Sequence, residues 1–220
     1  MTDELRCKDL FAQVNDLVHP LFENALYPWE ILPRIGGFLE KLIKDGIDGF
    51  HFYGENILVA ENVSISPTAV LNGPCIICEG ADVRPGAFIR GNAFVGKGAV
   101  VGNSAELKNC ILLDGAQAPH YNYIGDSILG NRAHMGAGSV CSNLKADGKA
   151  VVVHGKTDYE THLRKVGAFL GDFADVGCGC VLNPGTVIGK HTSVYPLLAL
   201  RGTYPANSIV KTSTLIVPRL

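Results

Sequence analysis

Aliphatic residues recur every six positions over much of the chain. From residue 57 the sequence divides into the hexads ILVAEN, VSISPT, AVLNGP, CIICEG, ADVRPG, AFIRGN, AFVGKG, AVVGNS, AELKNC and ILLDGA. The third position of every hexad is aliphatic: Val59, Ile65, Leu71, Ile77, Val83, Ile89, Val95, Val101, Leu107 and Leu113. A period of six is neither the repeat of an α-helix nor the alternation of a single strand. It predicts a solenoid.

Each hexad predicts one short parallel strand and one turn, so that three hexads complete a triangular coil. The aliphatic residues point inward and stack on their equivalents in neighbouring coils, while Gly, Asn, Asp and Pro occupy the corners. A β-sandwich is the alternative, but its turns come every 8 to 12 residues. We therefore expect an all-β solenoid over residues 53–220, with about six to seven coils between residue 57 and about residue 210.

The repeat is interrupted once near its middle. The aliphatic positions step by ten residues from Leu113 to Tyr123, which predicts four extra residues looped out at 117–120. Beyond this step, a shifted set comprises Tyr123, Leu129, Met135 and Cys141. The six-residue spacing resumes at Leu170, Val176, Leu182, Ile188, Val194 and Leu200. Because a solenoid carries function on excursions from its rigid coils, we expect functional side chains at this interruption.

A second interruption separates Cys141 from Leu170. Its central segment, KAVVVHGKTDYETHLRK, alternates in the manner of a β-hairpin. Its length predicts a projecting loop at about 142–168.

Residues 1–52 follow a helical pattern instead. Apolar side chains spaced three and four apart predict two amphipathic helices, one with Leu10, Phe11, Val14, Leu17, Val18 and Leu21 and one with Ile35, Phe38, Leu39, Leu42 and Ile43. Tyr27, Pro28 and Trp29 connect them. Because a solenoid leaves the core of its end coil open, we expect this segment to act as a helical cap.

Composition narrows the classes of function. The 220 residues are 47% hydrophobic, enough for one domain with an accessory segment. Nineteen basic and 21 acidic residues are scattered along the chain without a basic stripe, which argues against nucleic acid as a partner. No apolar run resembles a signal peptide or a membrane span. Seven cysteines, without two CxxC pairs, indicate reduced thiols, so we expect a cytoplasmic protein.

The run AELKNCILLDGAQAPHYNYIGDSILGNRAHMGAGSVCSN, residues 105–143, resembles the acetyltransferase domain of the bifunctional enzyme that acetylates glucosamine 1-phosphate and uridylylates the product. The hexads look like the left-handed parallel β-helix of that family. The resemblance implies a homotrimer with acyl-CoA sites between neighbouring helices, acetyl-CoA as the acyl donor, and an amino-sugar phosphate or nucleotide-linked amino sugar as the acceptor. Over all 220 residues, including the stretch YPWEILPRIGGFLEKL, the chain resembles stand-alone bacterial proteins that are described as related to this bifunctional enzyme, a UDP-N-acetylglucosamine pyrophosphorylase.

The resemblance also implies positions for acceptor binding. The two basic residues that bind the sugar phosphate fall on Arg90, in AFIRGN, and Lys108, in AELKNC. A sugar-contacting tyrosine falls on Tyr123, an asparagine on Asn143, and a lysine on Lys149.

The catalytic histidine of the family falls on His120. His134 replaces an asparagine at a substrate-binding position, and Cys178 replaces a serine near the thioester. Gly136 and Ala137, in the stretch MGAGS, fall at cofactor-binding positions.

These residues suit acyl transfer to an amine. A histidine ordinarily has a pKa near 6.5, so His120 can serve as a base at neutral pH. Arg90 and Lys108 lie eighteen residues apart, or one coil, and are expected to grip one phosphate together. A backbone N–H at Gly136 or Gly138 is a candidate donor to an oxyanion.

Two other functions remain open. Hexapeptide-repeat carbonic anhydrases bind zinc through three histidines, two of them five residues apart, and no pair among the seven histidines has that spacing. We therefore expect no metal. The second alternative is a non-catalytic role, in which the protein binds a sugar nucleotide or acts as a scaffold. Uridylyl transfer is not expected, because PRIGGF, the nearest glycine-rich stretch, lies in a helical pattern and the nucleotide-binding domain is absent.

Overall fold

A computed structural model describes residues 5–219. Residues 1–4 of the predicted helical segment and residue 220 of the predicted solenoid lie outside the described residues. The N-terminal segment contains α1 (Cys7–Leu10), α2 (His19–Glu23), two short 3₁₀ turns (Pro28–Glu30 and Leu32–Arg34) and α3 (Ile35–Asp45). The second predicted helix is confirmed as α3, whereas the first is wrong as a continuous helix. Between α1 and α2 the Ala12 N–H donates to the Asp172 carboxylate and the Leu17 N–H to the Asn15 side chain, so these donors bond to side chains instead of helix carbonyls.

Short strands make up the rest of the chain. They are β1 (Phe50–Gly54), β2 (Ile57–Ala60), β3 (Ser64–Ile65), β4 (Val70–Leu71), β5 (Cys75–Ile77), β6 (Asp82–Val83), β7 (Phe88–Ile89), β8 (Ala93–Val95), β9 (Val100–Asn103), β10 (Glu106–Leu112), β11 (Gln117–His120), β12 (Tyr123–Leu129), β13 (His134–Met135), β14 (Val140–Cys141), β15 (Val152–His154), β16 (Asp158–Glu160), β17 (Ala168–Leu170), β18 (Asp175–Val176), β19 (Val181–Leu182), β20 (Thr186–Ile188), β21 (Ser193–Val194), β22 (Ala199–Leu200), β23 (Thr203–Tyr204), β24 (Ser208–Val210) and β25 (Ile216–Pro218).

The strands stack in parallel on three faces, and the predicted all-β solenoid with an N-terminal helical segment is confirmed. The first face contains β2, β5, β8, β17, β20 and β23 with the second halves of β10 and β12. The second contains β3, β6, β9, β11, β13, β18, β21 and β24. The third contains β4, β7, β14, β19 and β22 with the first halves of β10 and β12. The eight parallel strands of the second face exceed the six to seven coils predicted.

The inward side chains form one continuous core. Of the ten hexad positions, all except Leu113 lie in this core or pack against it, as do Leu129, Met135 and Cys141 of the shifted set and all six positions of the resumed repeat. The prediction that Leu113 points inward is wrong, because Leu112 and not Leu113 pairs with Val95 of the preceding coil. Leu113 is buried outside the coil, against the N-terminal segment.

The predicted excursion at 117–120 is also wrong, because these residues form β11. Leu112, Ala118 and Ile124 are consecutive inward residues at the normal spacing of six, and Tyr123 faces outward. The phase changes because two corners are each one residue short, between Leu107 and Leu112 and between Ile124 and Leu129. A single residue with left-handed backbone turns each short corner: Asn109 (φ 49°) and Asp126 (φ 47°). The repeat therefore contracts at this point and loses no coil.

The N-terminal segment lies along the side of the solenoid, and the inward residues Ile65 and Leu71 of the first coil stay only partly buried. The segment packs on the outward side chains of the first face: Leu58, Ile76, Phe94, Ile111, Ile128, Phe169 and Val187. The predicted hairpin forms as β15 and β16 and joins the same cluster through buried Val151, Val153 and Val166. The ring of Trp29 stacks on that of Tyr27, with 4.6 Å between the ring centroids. At the two ends of the solenoid, β1 pairs antiparallel with β2 and β25 pairs antiparallel with β24.

A charge placed inside this stack has no partner. We expect Val101→Lys to lower the free energy of unfolding by about 3–5 kcal/mol, because the ammonium group would be buried without a counter-ion. Val100→Lys is the matched control: Val100 faces outward, next to Asp82, and should leave stability almost unchanged. Urea denaturation of both variants measures the difference, and equal effects would contradict the inward assignment of Val101.

Candidate active site

His120 stands at the corner where the second face meets the third. One residue per coil lies on this edge. Its carbonyl accepts a hydrogen bond from the next coil, where the donor is the N–H of the residue that follows the equivalent position. Gly138 donates to His120, Gly179 to Ala137, and Leu197 to Cys178, each at 2.9 Å. His120, Ala137 and Cys178 thus occupy the same place in three consecutive coils, and both the imidazole and the thiol are exposed. We call this row, Pro67, Pro85, Asn103, His120, Ala137, Cys178 and Pro196, the His120 edge.

Asn122 fixes the backbone on which His120 is carried, and the sequence analysis missed it. Its Oδ1 accepts a hydrogen bond from the His120 N–H at 3.0 Å. Its Nδ2 donates to the carbonyl oxygens of Gly136 and Ser139 in the next coil, at 2.9 and 3.1 Å. Asn122 is almost fully buried and follows Tyr121, which has a left-handed backbone (φ 52°). In the sequence, nothing local marks this asparagine as buried.

The glycines of MGAGS do not offer oxyanion donors, so that expectation is wrong. The Gly136 N–H donates to the Val176 carbonyl at 2.7 Å and the Gly138 N–H to the His120 carbonyl. Gly136 is needed for stacking, because a Cβ there would lie 2.6 Å from the Cys178 nitrogen. Within residues 5–219, however, the Ala137 N–H donates to no backbone carbonyl. Proline stands at three equivalent positions of the His120 edge, which shows that the stack does not need this N–H.

Arg90 and Lys108 lie at the corner between the third and first faces. The pairing of Ile89 with Leu107 places the two cations in adjacent coils, as the eighteen-residue spacing predicts. Each cation already has a carboxylate partner. Arg90 bonds Glu106 at 2.8 Å in solvent, and this bond raises the pKa of the guanidinium. Lys108 bonds both carboxylate oxygens of Asp126, at 2.8 and 3.0 Å. A phosphate bound here must therefore compete with, or add to, these pairs.

Asp126 connects the Lys108 pair to the two other predicted acceptor residues nearby. The Asn143 Nδ2 donates to Asp126 at 2.6 Å and to the Tyr123 hydroxyl at 3.1 Å. Asn109 Nδ2 also donates to Asp126, at 2.9 Å. Burial raises the pKa of Tyr123, the hydrogen bond from Asn143 opposes this, and the charge of Asp126 adds to it. The structure therefore brings Lys108, Tyr123 and Asn143 together around a buried carboxylate that sequence analysis did not identify.

Two predicted acceptor residues lie elsewhere in this chain. His134 is on the outer side of the second face, where its Nδ1 is 2.8 Å from the Asp175 carboxylate. Lys149 is exposed in the insertion, and its N–H bonds the Asp147 side chain. Among the described residues, neither His134 nor Lys149 has a hydrogen bond to the Asp126 cluster, by which we mean Asp126, Lys108, Asn109, Tyr123 and Asn143. A single chain thus divides the predicted site residues between two faces and their corners.

The remaining chemistry of the described residues is limited. Burial raises the pKa of Cys75 and of Cys141 to about 12, so both are inert thiols. Residues 5–219 contain no group of three His, Cys, Asp or Glu side chains placed to hold a metal ion. Nor does any helix in that range have the length and apolar character to cross a membrane.

Comparisons with known proteins bear on these residues. Residues 71–161 match the model of the GMPPB C-terminal domain. The chain is similar to the bifunctional protein GlmU of Methanococcus maripaludis, with 34% identity over 171 residues, which cover 76% of this chain and 42% of that protein. It is also similar to a bifunctional sugar-1-phosphate nucleotidylyltransferase/acetyltransferase of Sulfurisphaera tokodaii, with 35% identity over 41% of this chain and 23% of that protein. The resemblance inferred from residues 105–143 is confirmed.

The chain is also similar to solved structures, among them PerB of Caulobacter crescentus in complex with CoA and GDP-perosamine. The TM-score is 0.36 and the identity 20%, covering 70% of this chain and 52% of that one. The acetyltransferase domain of PglB from Neisseria gonorrhoeae has a TM-score of 0.38 and 16% identity, covering 60% and 53% of the two chains. The chain spans less than half the length of the curated relatives that it matches.

Proposed function

We propose that this protein is an acyl-CoA-dependent N-acyltransferase whose acceptor is an amino sugar carrying a phosphate or a nucleotide. The observation that carries the proposal is the His120 edge, where an exposed imidazole lies one coil from a backbone N–H that the stack leaves unused. The similarity to the bifunctional sugar-1-phosphate enzymes supports this class of reaction. A cytoplasmic location and the absence of a resident metal stay predictions.

The side chains of this corner suit the protein's part in the reaction. An amine nucleophile must lose a proton, and the exposed His120 imidazole can accept it. Asn122 holds the backbone of His120 against the next coil, so that the imidazole is carried on a rigid support. The Ala137 N–H can donate to the oxygen on which negative charge develops.

Acetyl-CoA is the acyl donor in this proposal and supplies the activated acyl group. The residues of this edge fit a thioester: Ala137 offers an unused N–H, and Cys178, one coil further along the same edge, exposes its side chain. The family's serine near the thioester corresponds to Cys178, and a thiol of similar size is compatible with a contact there. The acceptor side is formed by Tyr123, Asn143 and Lys108, with Arg90 at the solvent-exposed rim.

The proposed assembly is a homotrimer. The third face carries an outward row of mostly apolar side chains that is partly exposed in the single chain and is interrupted by one charged residue, Glu106: Val70, Phe88, Glu106, Tyr123, Val140, Val181 and Ala199. Such rows favour burial against another protein surface. A neighbouring copy is also the simplest source of His134, which faces away from the Asp126 cluster in its own chain.

Light scattering at low micromolar concentration tests the assembly. We expect a mass of three chains, since the flat faces of a triangular prism pack around a threefold axis. A monodisperse monomer with full transferase activity would contradict a site shared between copies.

Replacing His120 tests the catalytic proposal. We expect His120→Ala to lower amine acylation by roughly 10²–10⁴-fold, the usual contribution of a general base, without a change in folding or assembly. His120→Asn should behave alike. The decline of the wild-type rate at acid pH, where a general base is protonated, should be missing from both variants. The assay measures CoA release from acetyl-CoA with a panel of amino-sugar phosphates and nucleotide-linked amino sugars.

His19→Ala is the matched control, because His19 is an exposed histidine on α2. It should retain the wild-type rate and pH profile. Wild-type turnover by His120→Ala across this pH range would show that His120 is not the base. Binding of an amino sugar by the wild-type protein without any CoA release would favour the non-catalytic alternative.

A further inference from the structure

Asp126 is a buried carboxylate at one of the two short corners, and side chains from the coils before and after its own converge on it. Lys108 and Asn109 approach from the preceding coil, and Asn143 from the following one. The carboxylate is only 5% exposed. Burying a charge is costly unless it is paired and hydrogen-bonded, and here each oxygen accepts from two donor groups.

This arrangement determines how Asn143 is turned. A carboxylate only accepts hydrogen bonds, so the Asn143 amide must present its NH₂ group to Asp126. The second N–H of the same group donates to the Tyr123 hydroxyl oxygen. Within the described residues, the Asn143 Oδ1 accepts no hydrogen bond, and the Tyr123 O–H proton is not used by Asn143. One acceptor and one donor are therefore left side by side.

A neighbouring donor and acceptor match a hydroxyl group, which both donates and accepts. Tyr123 and Asn143 are each half-buried, so the pair is reachable from solvent. The exposed Arg90–Glu106 pair lies beside it, since Glu106 is the register partner of Tyr123. This is the chemistry of a sugar-binding surface with polar groups of fixed orientation.

Asp126 also anchors the point where the chain leaves the solenoid. Its carbonyl accepts from the Gly167 N–H at 2.7 Å, and the Asn143 carbonyl accepts from the Val166 N–H at 3.0 Å. The start and the end of the long insertion are thus tied to the same corner. These bonds fix the backbone on which the Asn143 side chain is carried.

We propose that Asp126 is a positioning residue for the acceptor: it orients the Asn143 amide so that the Asn143 carbonyl and the Tyr123 hydroxyl together bind a hydroxyl group of the amino sugar. This inference rests on the proposed function for the identity of the acceptor. Asp126 itself is buried behind Asn143 and acts through it.

The test is Asp126→Asn, measured by calorimetric titration of the full-length protein with glucosamine 1-phosphate and with UDP-glucosamine, without acyl-CoA. The substituted amide presents donors to Asn143 as well as an acceptor, so the orientation of Asn143 is no longer imposed. We expect Kd for the acceptor that binds best to rise at least tenfold. The KM for acetyl-CoA in the turnover assay should change less than twofold, a division that a general loss of structure would not produce.

Asn143→Ala and the double variant decide whether Asp126 acts through Asn143. Asn143→Ala should raise the same Kd at least tenfold, and adding Asp126→Asn should cause less than a twofold further change, because the effects share one path. Asn143 is half-buried, so Asn143→Ala tests the surface even if Asp126→Asn does not fold. Asp82→Asn, which removes the carboxylate of an exposed pair with Arg84, is the matched control and should leave Kd unchanged.

Wild-type Kd in Asp126→Asn or in Asn143→Ala would overturn the inference, as would effects of the two changes that multiply in the double variant. It would also be overturned if neither sugar bound the wild-type protein. Binding without acyl transfer would contradict the proposed function alone, because the Kd comparison does not depend on turnover.

Discussion

Backbone hydrogen bonding between successive coils is the constraint on which this molecule depends. Strands pair in parallel with residues 16 to 18 positions along the chain, or 41 where the insertion intervenes. These bonds engage the backbone of the three faces, and the inward side chains fill the core. Chemistry is therefore left to the outward side chains and to corner groups that the stack does not use. His120, exposed on its edge, and the Ala137 N–H are both such groups.

The same constraint explains the second cluster. Where the corner between the third and first faces contracts to one residue, Asn109 and Asp126 take left-handed conformations and direct their side chains to one another. The buried carboxylate this creates is stabilised by Lys108 and Asn109 from the preceding coil and by Asn143 from the following one. The polar groups that remain on the outer side, at Tyr123 and Asn143, are then held in one orientation. A local change of one residue in the repeat thus orients the polar groups to which we assign acceptor binding.

The hexad pattern predicted the solenoid and most of the core, because inward stacking requires an aliphatic residue at nearly every turn, and the alternation within the insertion predicted the hairpin. It failed at Leu113 and at 117–120, since two corners that each lose one residue look the same in the sequence as an inserted loop. Asp126 was missed for a related reason: its partners lie 17 and 18 residues away, and nothing local marks an aspartate at a corner as buried. The predicted grip of Arg90 and Lys108 on a phosphate did not anticipate their carboxylate partners, which come from neighbouring coils.

The central claim is that acyl transfer uses the backbone donor that the stack leaves unused on the His120 edge. Ala137→Pro removes that N–H, and proline already stands at Pro67, Pro85 and Pro196 of the same edge, so the fold should tolerate it. Ala137→Ser keeps the N–H and serves as the control. Single-turnover acetylation of the amino sugar should fall roughly 10²–10³-fold in Ala137→Pro, with an unchanged melting temperature, and should stay near wild type in Ala137→Ser. Wild-type acetylation by a folded Ala137→Pro would contradict the account.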